Sequence, residues 1–525
     1  MRVGGRARSK PAVRSVAPDR LAPERCAPAT ALAAALMAAV AVLAGGAVSA
    51  PRGSVGPPQW RESALQGRET APQGPGAARQ APASAAPSQP ITDEEIVSLL
   101  RAYLRVDTSN PPGNELRGAR FFKDLFDREG IASEIFEVAP GRADIVARLK
   151  GSGAKRALIL SNHMDVVNAE RPYWTVDPFG GELKDGFVYG RGALDMKTTG
   201  LLQAVAFINA RRSGRTLARD LIFLGTADEE VDALGIAWVV TRRPDLVRDA
   251  EFMITEGGVI AAVDGKARSY DVAVTEKVPY WLKITARGRP GHGSQPFTKD
   301  NAVLLLLRAL GRLTRYETPV RLTPAAEAYF KARAASEPPE RAARFRNIRE
   351  SLRDPGFRRT LLADPELNAI LRDTIAITML QGAPQTNIIP TVAEARVDVR
   401  LLPDEDPAAF LKEIKKVVEE PGVAVEPTGP TAPATSSPVD SELMRAIDRA
   451  RARHHPGAAL APTILTGWTE SAAVRTLGIQ AYGFEPYVLD EAEQDRAHGN
   501  DERISVENVT SGAALMQEIV GDLCR

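Results

Sequence analysis

From about Ile91 onward, apolar positions along the chain fall into two alternating rhythms. Ile91–Arg105 opens with Thr92-Asp93-Glu94-Glu95, a capping box, and carries Ile96, Leu99, Leu100 and Leu104 at helical spacing. Gly118–Glu129 repeats that spacing through Phe121, Phe122, Leu125 and Phe126. Short unbroken apolar runs follow at Ala157–Leu160, Leu221–Leu224 and Phe252–Ile254, with one more strand at Ala481–Phe484. Strands without polar alternation are buried on both faces, so the pattern predicts an α/β sheet between two helix layers. Ligand sites in such sheets gather beyond the carboxyl ends of the strands.

A second block reads differently. Tyr280–Ala286, Ile375–Leu380 and Ala393–Leu401 alternate as strands, while Asn301–Leu313 and Pro407–Val418 read as helices. Their order fits a βαββαβ α+β module over 278–430, inserted into the α/β domain made of 91–277 and 431–525. Within it, 322–372 is a charged helical insertion broken at Pro338-Pro339 and Pro355-Gly356. It reads as a shaper of the substrate entrance, a subunit contact or a solvated elaboration.

The region before Ile91 has no such rhythm. In residues 1–50, seven basic side chains from Arg2 to Arg25 precede an uncharged run centred on ALAAALMAAVAVLAGGAVSA and ending in Val48-Ser49-Ala50. A basic leader, an apolar segment and small residues read as a signal peptide or, if uncleaved, an N-terminal anchor. Its Ala and Gly content makes insertion as a spanning helix only modestly favourable. Residues 51–90, rich in Pro and Ala, cannot bury enough surface to offset their ordering entropy and read as a disordered tether. The expected location is therefore periplasmic or secreted, with membrane contact only through a retained N-terminal segment.

Composition narrows the chemistry. Lys+Arg 67 against Asp+Glu 66 leaves a formal charge of +1, without the basic field that nucleic acid requires. Two cysteines near opposite ends, Cys26 and Cys524, exclude a disulfide scaffold and a thiolate metal site. Any metal must be held by carboxylates and some of five histidines: His163, His292, His454, His455 and His498. His454 and His455 end a helix that starts at Ser441, where a cation suits the dipole.

Most of the remaining candidates lie beyond strand ends. Ser161-Asn162-His163-Met164-Asp165 follows the first apolar run, Asp228-Glu229-Glu230 the second, and Thr255-Glu256-Gly257-Gly258 the third. Asp195 stands in the Gly-rich Gly190–Lys197 segment, and His498 in the loop after Ala481–Phe484. Two histidines and three carboxylates exceed one tetrahedral Zn²⁺ and suit two ions that share a bridge. Asp165, two residues past His163, is placed to accept its second ring N–H. Neighbouring Glu229 and Glu230 point apart, so one can ligate while the other faces substrate.

SNHMDVV, DPFGGELKDGFVYGRGALDMK, TADEE, ITEGG and AHGNDERISVEN together resemble the aminoacylase and glutamate-carboxypeptidase family of dinuclear zinc hydrolases. Within it, the chain is most similar to carboxypeptidase S and the N-acyl-amino-acid hydrolases. The resemblance implies an α/β zinc-hydrolase catalytic domain with an inserted lid and dimerisation domain. It implies metal ligation by His163, Asp195, Glu230, Glu256 and His498, with two Zn²⁺ per subunit (Co²⁺ or Mn²⁺ as substitutes). Asp195 would bridge, one ion adding His163 and Glu256, the other Glu230 and His498. Glu229 would be the general base acting on a metal-bridging water. Gly291-His292-Gly293-Ser294 resembles the family's lid motif, so that His292 would steady the oxyanion in a partner subunit of a homodimer. Asn387 resembles the family's polar substrate contact. Arg400 either holds a substrate carboxylate or pairs with Asp398. The turn Gly467–Ala472 departs from the family's Gly-x-Thr-Asp-x-Arg type, with Glu470 for Asp and Ala472 at a commonly basic position; this puts inherited substrate recognition in doubt. The expected reaction is amide hydrolysis next to a free carboxylate, on short peptides or N-acyl amino acids. Hydrolysis of ureido or carbamoyl amides, and metal or ligand binding without turnover, are the alternatives.

Overall fold

The computed structural model describes residues 89–429 and 434–525. The expected leader and nearly all of the expected tether lie outside the described residues. No helix among the described residues is long and apolar enough to cross a membrane.

The sheet is built around Ala157–His163, every residue of which is buried. It pairs in parallel with Leu221–Thr226 on one side and Ala250–Thr255 on the other, and Gln480–Gly483 continues the parallel set. Antiparallel strands extend both flanks, Arg142–Leu149 and Ser133–Ala139 at one, Lys266–Glu276 at the other, within a ten-stranded mixed sheet. Strand periodicity divides the core between two helix layers. Leu158, Leu160 and Phe223 join the layer of Asp93–Leu104, Lys197–Arg212 and Val506–Leu523. Ile159, Ile222 and Leu224 join that of Leu234–Arg242 and Ser471–Arg475. The expected α/β sandwich is thus present.

The first parallel strand runs three residues past its apolar run. Some of the buried polar groups there are paired: Asn162 Nδ2 donates to Gln203 Oε1 at 3.2 Å, and Thr226 Oγ1 donates to Asn162 O at 3.1 Å. His163 therefore sits on the sheet ladder itself, held more rigidly than a loop residue would be.

A separate five-stranded antiparallel sheet forms the lid: Leu282–Arg287, Val392–Leu401, Val423–Pro427, Thr374–Gln381 and the short Val278–Pro279. Ala393, Ala395, Val397, Val399 and Leu401 alternate inward against helices Ala302–Leu313 and Pro407–Val417. This is the βαββαβ order expected from the sequence. The insertion departs from one expectation. Its helices, from Pro324–Arg333 to Pro365–Leu371, are not a solvated elaboration: Ala326, Tyr329, Phe330, Phe345, Ile348 and Leu371 are buried in the same core as the large sheet.

Candidate active site

Tight turns aim the candidate ligands into one place. His163 closes its strand, Glu229 and Glu230 follow Leu221–Thr226, and Glu256 follows Ala250–Thr255. Asp195 precedes the buried helix Lys197–Arg212. His498, at φ +62°, and Asp228, at φ +73°, adopt left-handed backbone that side-chain-bearing residues rarely take.

Asp195 stands between the two histidines. His163 Nε2 lies 3.0 Å from Asp195 Oδ1 and 3.3 Å from Glu256 Oε2. His498 Nε2 lies 3.0 Å from Asp195 Oδ2 and 3.2 Å from Glu230 Oε2. Each oxygen of Asp195 thus faces a different His–Glu pair. The crowding has an electrostatic signature. Hydrogen bonds to Asp195 and Glu230 push the His498 imidazole up to about 10. Burial opposes charge on His163, but Glu256, Asp165 and Asp195 outweigh it and raise its pKa well above the ordinary value. Burial, then Glu256's charge, raises Glu229 well above the usual carboxylate range, and burial brings Glu256 to about 7.

These residues fit a divalent cation site. Donor atoms of His163, Glu229 and Glu256, and of His163, Asp195 and Glu230, lie within 4.8 Å of one another. Glu230 Oε1 is buried without a hydrogen-bond partner among the described residues, an acceptor that a cation would satisfy. Imidazole and carboxylate without thiolate suit Zn²⁺, and also Co²⁺ or Mn²⁺.

A supporting layer holds the ligands. Asp165 touches His163 differently from expectation: its backbone carbonyl lies 3.1 Å from Nδ1, while its carboxylate is 3.5 Å away. The carboxylate instead accepts from the backbone N–H groups of Glu229 and Glu230, both at 3.1 Å, and from Asn110 Nδ2 at 2.8 Å. Asn110 also bonds Asp228, which Arg142 ties to Glu115. Glu502, fully buried, accepts from Arg191 Nη1 at 2.6 Å and from the N–H groups of Gly192, Leu194 and Asp195 at 3.0, 2.6 and 3.1 Å. Sequence reasoning missed Asn110, Arg142, Glu115, Arg191 and Glu502. Arg191 and Glu502 lie inside the quoted motifs, whereas Asn110, Glu115 and Arg142 lie far from all of them along the chain.

Other candidates fall elsewhere. His292, in the two-residue strand Gly291–His292, is exposed, with Nδ1 2.7 Å from Ser294 Oγ, and it does not line the cleft of its own chain. Asn387 is exposed beside it, its carbonyl accepting from Gly293 N–H at 2.8 Å. Arg400 does line the cleft, and pairs with Asp398 through Nε at 2.9 Å and Nη2 at 3.3 Å. Glu470 is buried behind the candidate metal ligands, accepting from Thr226 Oγ1 at 2.8 Å. Burial raises its carboxyl to about 8. It is not among the cleft-lining residues, so the departure from the family turn alters the site's backing and not its substrate wall. His454 and His455 bond Glu518 and Tyr270, each at 2.8 Å, as helix-end residues remote from this cleft.

Above the ligands opens a cleft of about 1050 Å³, walled by Glu229, Glu230, Val231, Leu234, Trp468 and Leu465 and, from the lid side, Trp281 and Arg400. Its size suits a small molecule held between the two sheets.

Comparison with known proteins agrees with the geometry. Residues 159–522 match peptidase family M20/M25/M40. The N-fatty-acyl-amino acid synthase/hydrolase PM20D1 of Xenopus tropicalis is 30% identical over 361 residues, 67% of this chain and 69% of that one. Aminoacylase-1A of Rattus norvegicus is 25% identical over 402 residues, 76% of this chain and 88% of the other. Among solved structures, the M20 family metallo-carboxypeptidase Sso-CP2 from Sulfolobus solfataricus superposes with a TM-score of 0.62 at 17% identity, covering 81% of this chain and 98% of that one. Strand-end ligands, an inserted lid and a match across most of the folded region lead to one conclusion: the chain belongs to peptidase family M20/M25/M40 and is a hydrolase of amide bonds.

Proposed function

We propose that this chain is a two-zinc enzyme that cleaves an amide bond next to a free carboxylate, in short peptides or in N-acyl amino acids. The observation that carries this reading is Asp195, one oxygen toward His163 and Glu256, the other toward His498 and Glu230, at the floor of a cleft that Glu229 and Arg400 also line. Zinc held by those five side chains would supply Lewis acidity, making a water more acidic and polarising the scissile carbonyl.

The chain's own groups divide the remaining work. Glu229 makes no side-chain hydrogen bond among the described residues and faces the cleft, so its carboxylate takes the proton from the attacking water and returns it to the leaving amine. Arg400, bidentate on Asp398, keeps both N–H groups of Nη1 for a substrate carboxylate. His292 and Asn387 act from the lid of a partner subunit in a homodimer, His292 donating to the oxyanion. Their exposure, away from their own cleft, supports that arrangement. The basic leader and apolar run support export, and cell fractionation of the tagged protein tests it.

The test of function is a substrate panel. Purified protein with zinc is given dipeptides, N-acyl amino acids and ureido compounds, with products detected by mass. Release of a free amino acid from the first two classes is expected. Cleavage confined to ureido compounds, or zinc binding without any product, would refute the assignment.

A further inference from the structure

One wall of the cleft carries carboxylates that the reaction above leaves unused. Asp271 lies on the strand Lys266–Glu276, its backbone N–H donating to Val259 O at 2.9 Å, and its side chain lines the cleft. Its Oδ1 is shut off from solvent and has no hydrogen-bond partner among the described residues. The guanidinium nearest to it, that of Arg333, stands 3.9 Å from Oδ2 and donates through Nη1 to Ser269 Oγ at 2.8 Å. Arg333 is not part of the cleft lining, so its charge lies behind the wall.

Glu366 enters the same cleft from the last helix of the insertion, Pro365–Leu371. Exposed at the rim, it is still close enough that partial burial and then Asp271's charge push its carboxyl up. Asp364 and Glu491 add to that field, and Arg333 alone opposes it. Glu485, just past Gln480–Gly483, also lines the cleft, on the side where the charges of Glu256 and Asp195 bear on it. Its Oε1 accepts from Thr199 Oγ1 at 2.9 Å, and it forms no ion pair among the described residues.

Asp271, with an oxygen shut off from solvent and only Arg333 behind it, carries an incompletely compensated desolvation cost, and Glu366 adds like charge at the rim; a docking cation relieves both. A neutral acyl chain would leave them in place. Lid-side Arg400 gives the cleft the opposite charge elsewhere, so its polarity matches a zwitterion.

We propose that Asp271 and Glu366 bind a positively charged nitrogen of the substrate, so that the enzyme selects short peptides bearing an ammonium or guanidinium over uncharged N-acyl amino acids. This deepens the amide-hydrolase reading and rests on it. The insertion thereby gains a role, since it brings Glu366 to the cleft.

The test uses the full chain with zinc and four substrates that share a C-terminal leucine: free Met-Leu, N-acetyl-Met-Leu, N-acetyl-Lys-Leu and N-octanoyl-Leu. Free Met-Leu against its acetylated form isolates the α-ammonium; N-acetyl-Lys-Leu against N-acetyl-Met-Leu isolates a basic side chain. One or both cationic members should exceed their neutral partners in kcat/KM by about tenfold, the worth of a hydrogen bond to a charged group. Asp271→Asn and Glu366→Gln should each raise KM for the preferred cationic substrate by a similar factor, with kcat and the neutral substrates unchanged. Glu366, at the rim, keeps the test sound if Asp271→Asn fails to fold. Neutral substrates cleaved as well as or better than cationic ones, or variants that slow all four alike, would overturn the proposal while leaving amide hydrolysis intact. Cleavage of none of the four would overturn both.

Discussion

Glu502→Gln is the sharpest perturbation of the site that leaves every candidate metal ligand in place. Its carboxylate is fully buried and accepts four hydrogen bonds, Oε2 from Arg191 and Gly192, Oε1 from Leu194 and Asp195. Glutamine keeps one oxygen and turns the other into an amide NH₂. Either placement strands two buried donors: Arg191 Nη1 with Gly192 N–H, or Leu194 N–H with Asp195 N–H. An orphaned buried donor costs about 1–3 kcal/mol, and breaking a buried ion pair from one side costs about 3–5 kcal/mol. The arginine also donates to the carbonyls of His498 at 3.2 Å and Gly499 at 2.9 Å, so the damage reaches the His498 loop as well as the Asp195 turn. The variant should therefore lose about 3–5 kcal/mol of unfolding free energy, and bind zinc about 10–100-fold more weakly, as loss of groups that orient metal ligands commonly does. Urea unfolding of the metal-free protein measures the first loss, and competition with a fluorescent chelator the second. Zinc affinity equal to that of the natural protein would refute the claim that Glu502 sets the position of Asp195 and His498.

Other substitutions separate roles that lie side by side. Glu229→Gln should keep zinc, read by elemental analysis, and lower kcat by at least the factor of about 10²–10⁴ typical of a positioned general base; near-normal turnover would remove it from that role. Glu230→Gln should instead lose metal, since its carboxylate lies 3.2 Å from His498. Far from the site, burial alone would raise the Asp220 carboxyl, but Lys150, Arg148 and the Gly151 N–H hold it down at about 2. Against an unfolded value near about 4, this contributes on the order of 2 kcal/mol, fully present above that pH and lost as pH falls toward 2. Asp220→Asn should thus be less stable than the natural protein at pH 7, with the gap in urea midpoints falling to about half by pH 3 and closing only toward pH 2; a gap constant with pH would refute the linkage. Phe330→Ala, which empties a fully buried position beside Phe345, should cost about 3–5 kcal/mol in urea unfolding if the insertion shares the main core. A small or separate unfolding transition would mean that it folds apart.

What was legible in the sequence follows from what short-range pattern can encode. An apolar run followed within a few residues by His163, by Glu229-Glu230 or by Glu256 marks both a buried strand and what lies at its end, so the fold and the candidate ligands are read from the same stretches. The supporting groups carry no such mark. Arg142 reaches Glu115 and Asp228, and Glu502 reaches Arg191, across separations that only the folded sheet closes. Charge misled in the insertion for a related reason. Its helices are rich in Arg and Glu, and their outer faces dominate composition, yet Ala325, Ala326, Tyr329 and Phe330 lie at helical spacing on one buried face. Weighing position above composition would have found that core. Position within the insertion would still not have revealed Glu366, because its meaning depends on Asp271, which lies on a strand of the other domain. Ligands that sit at the ends of consecutive strands can be read along the chain, whereas the groups that choose a substrate are assembled from separate layers and acquire their chemistry only when those layers meet.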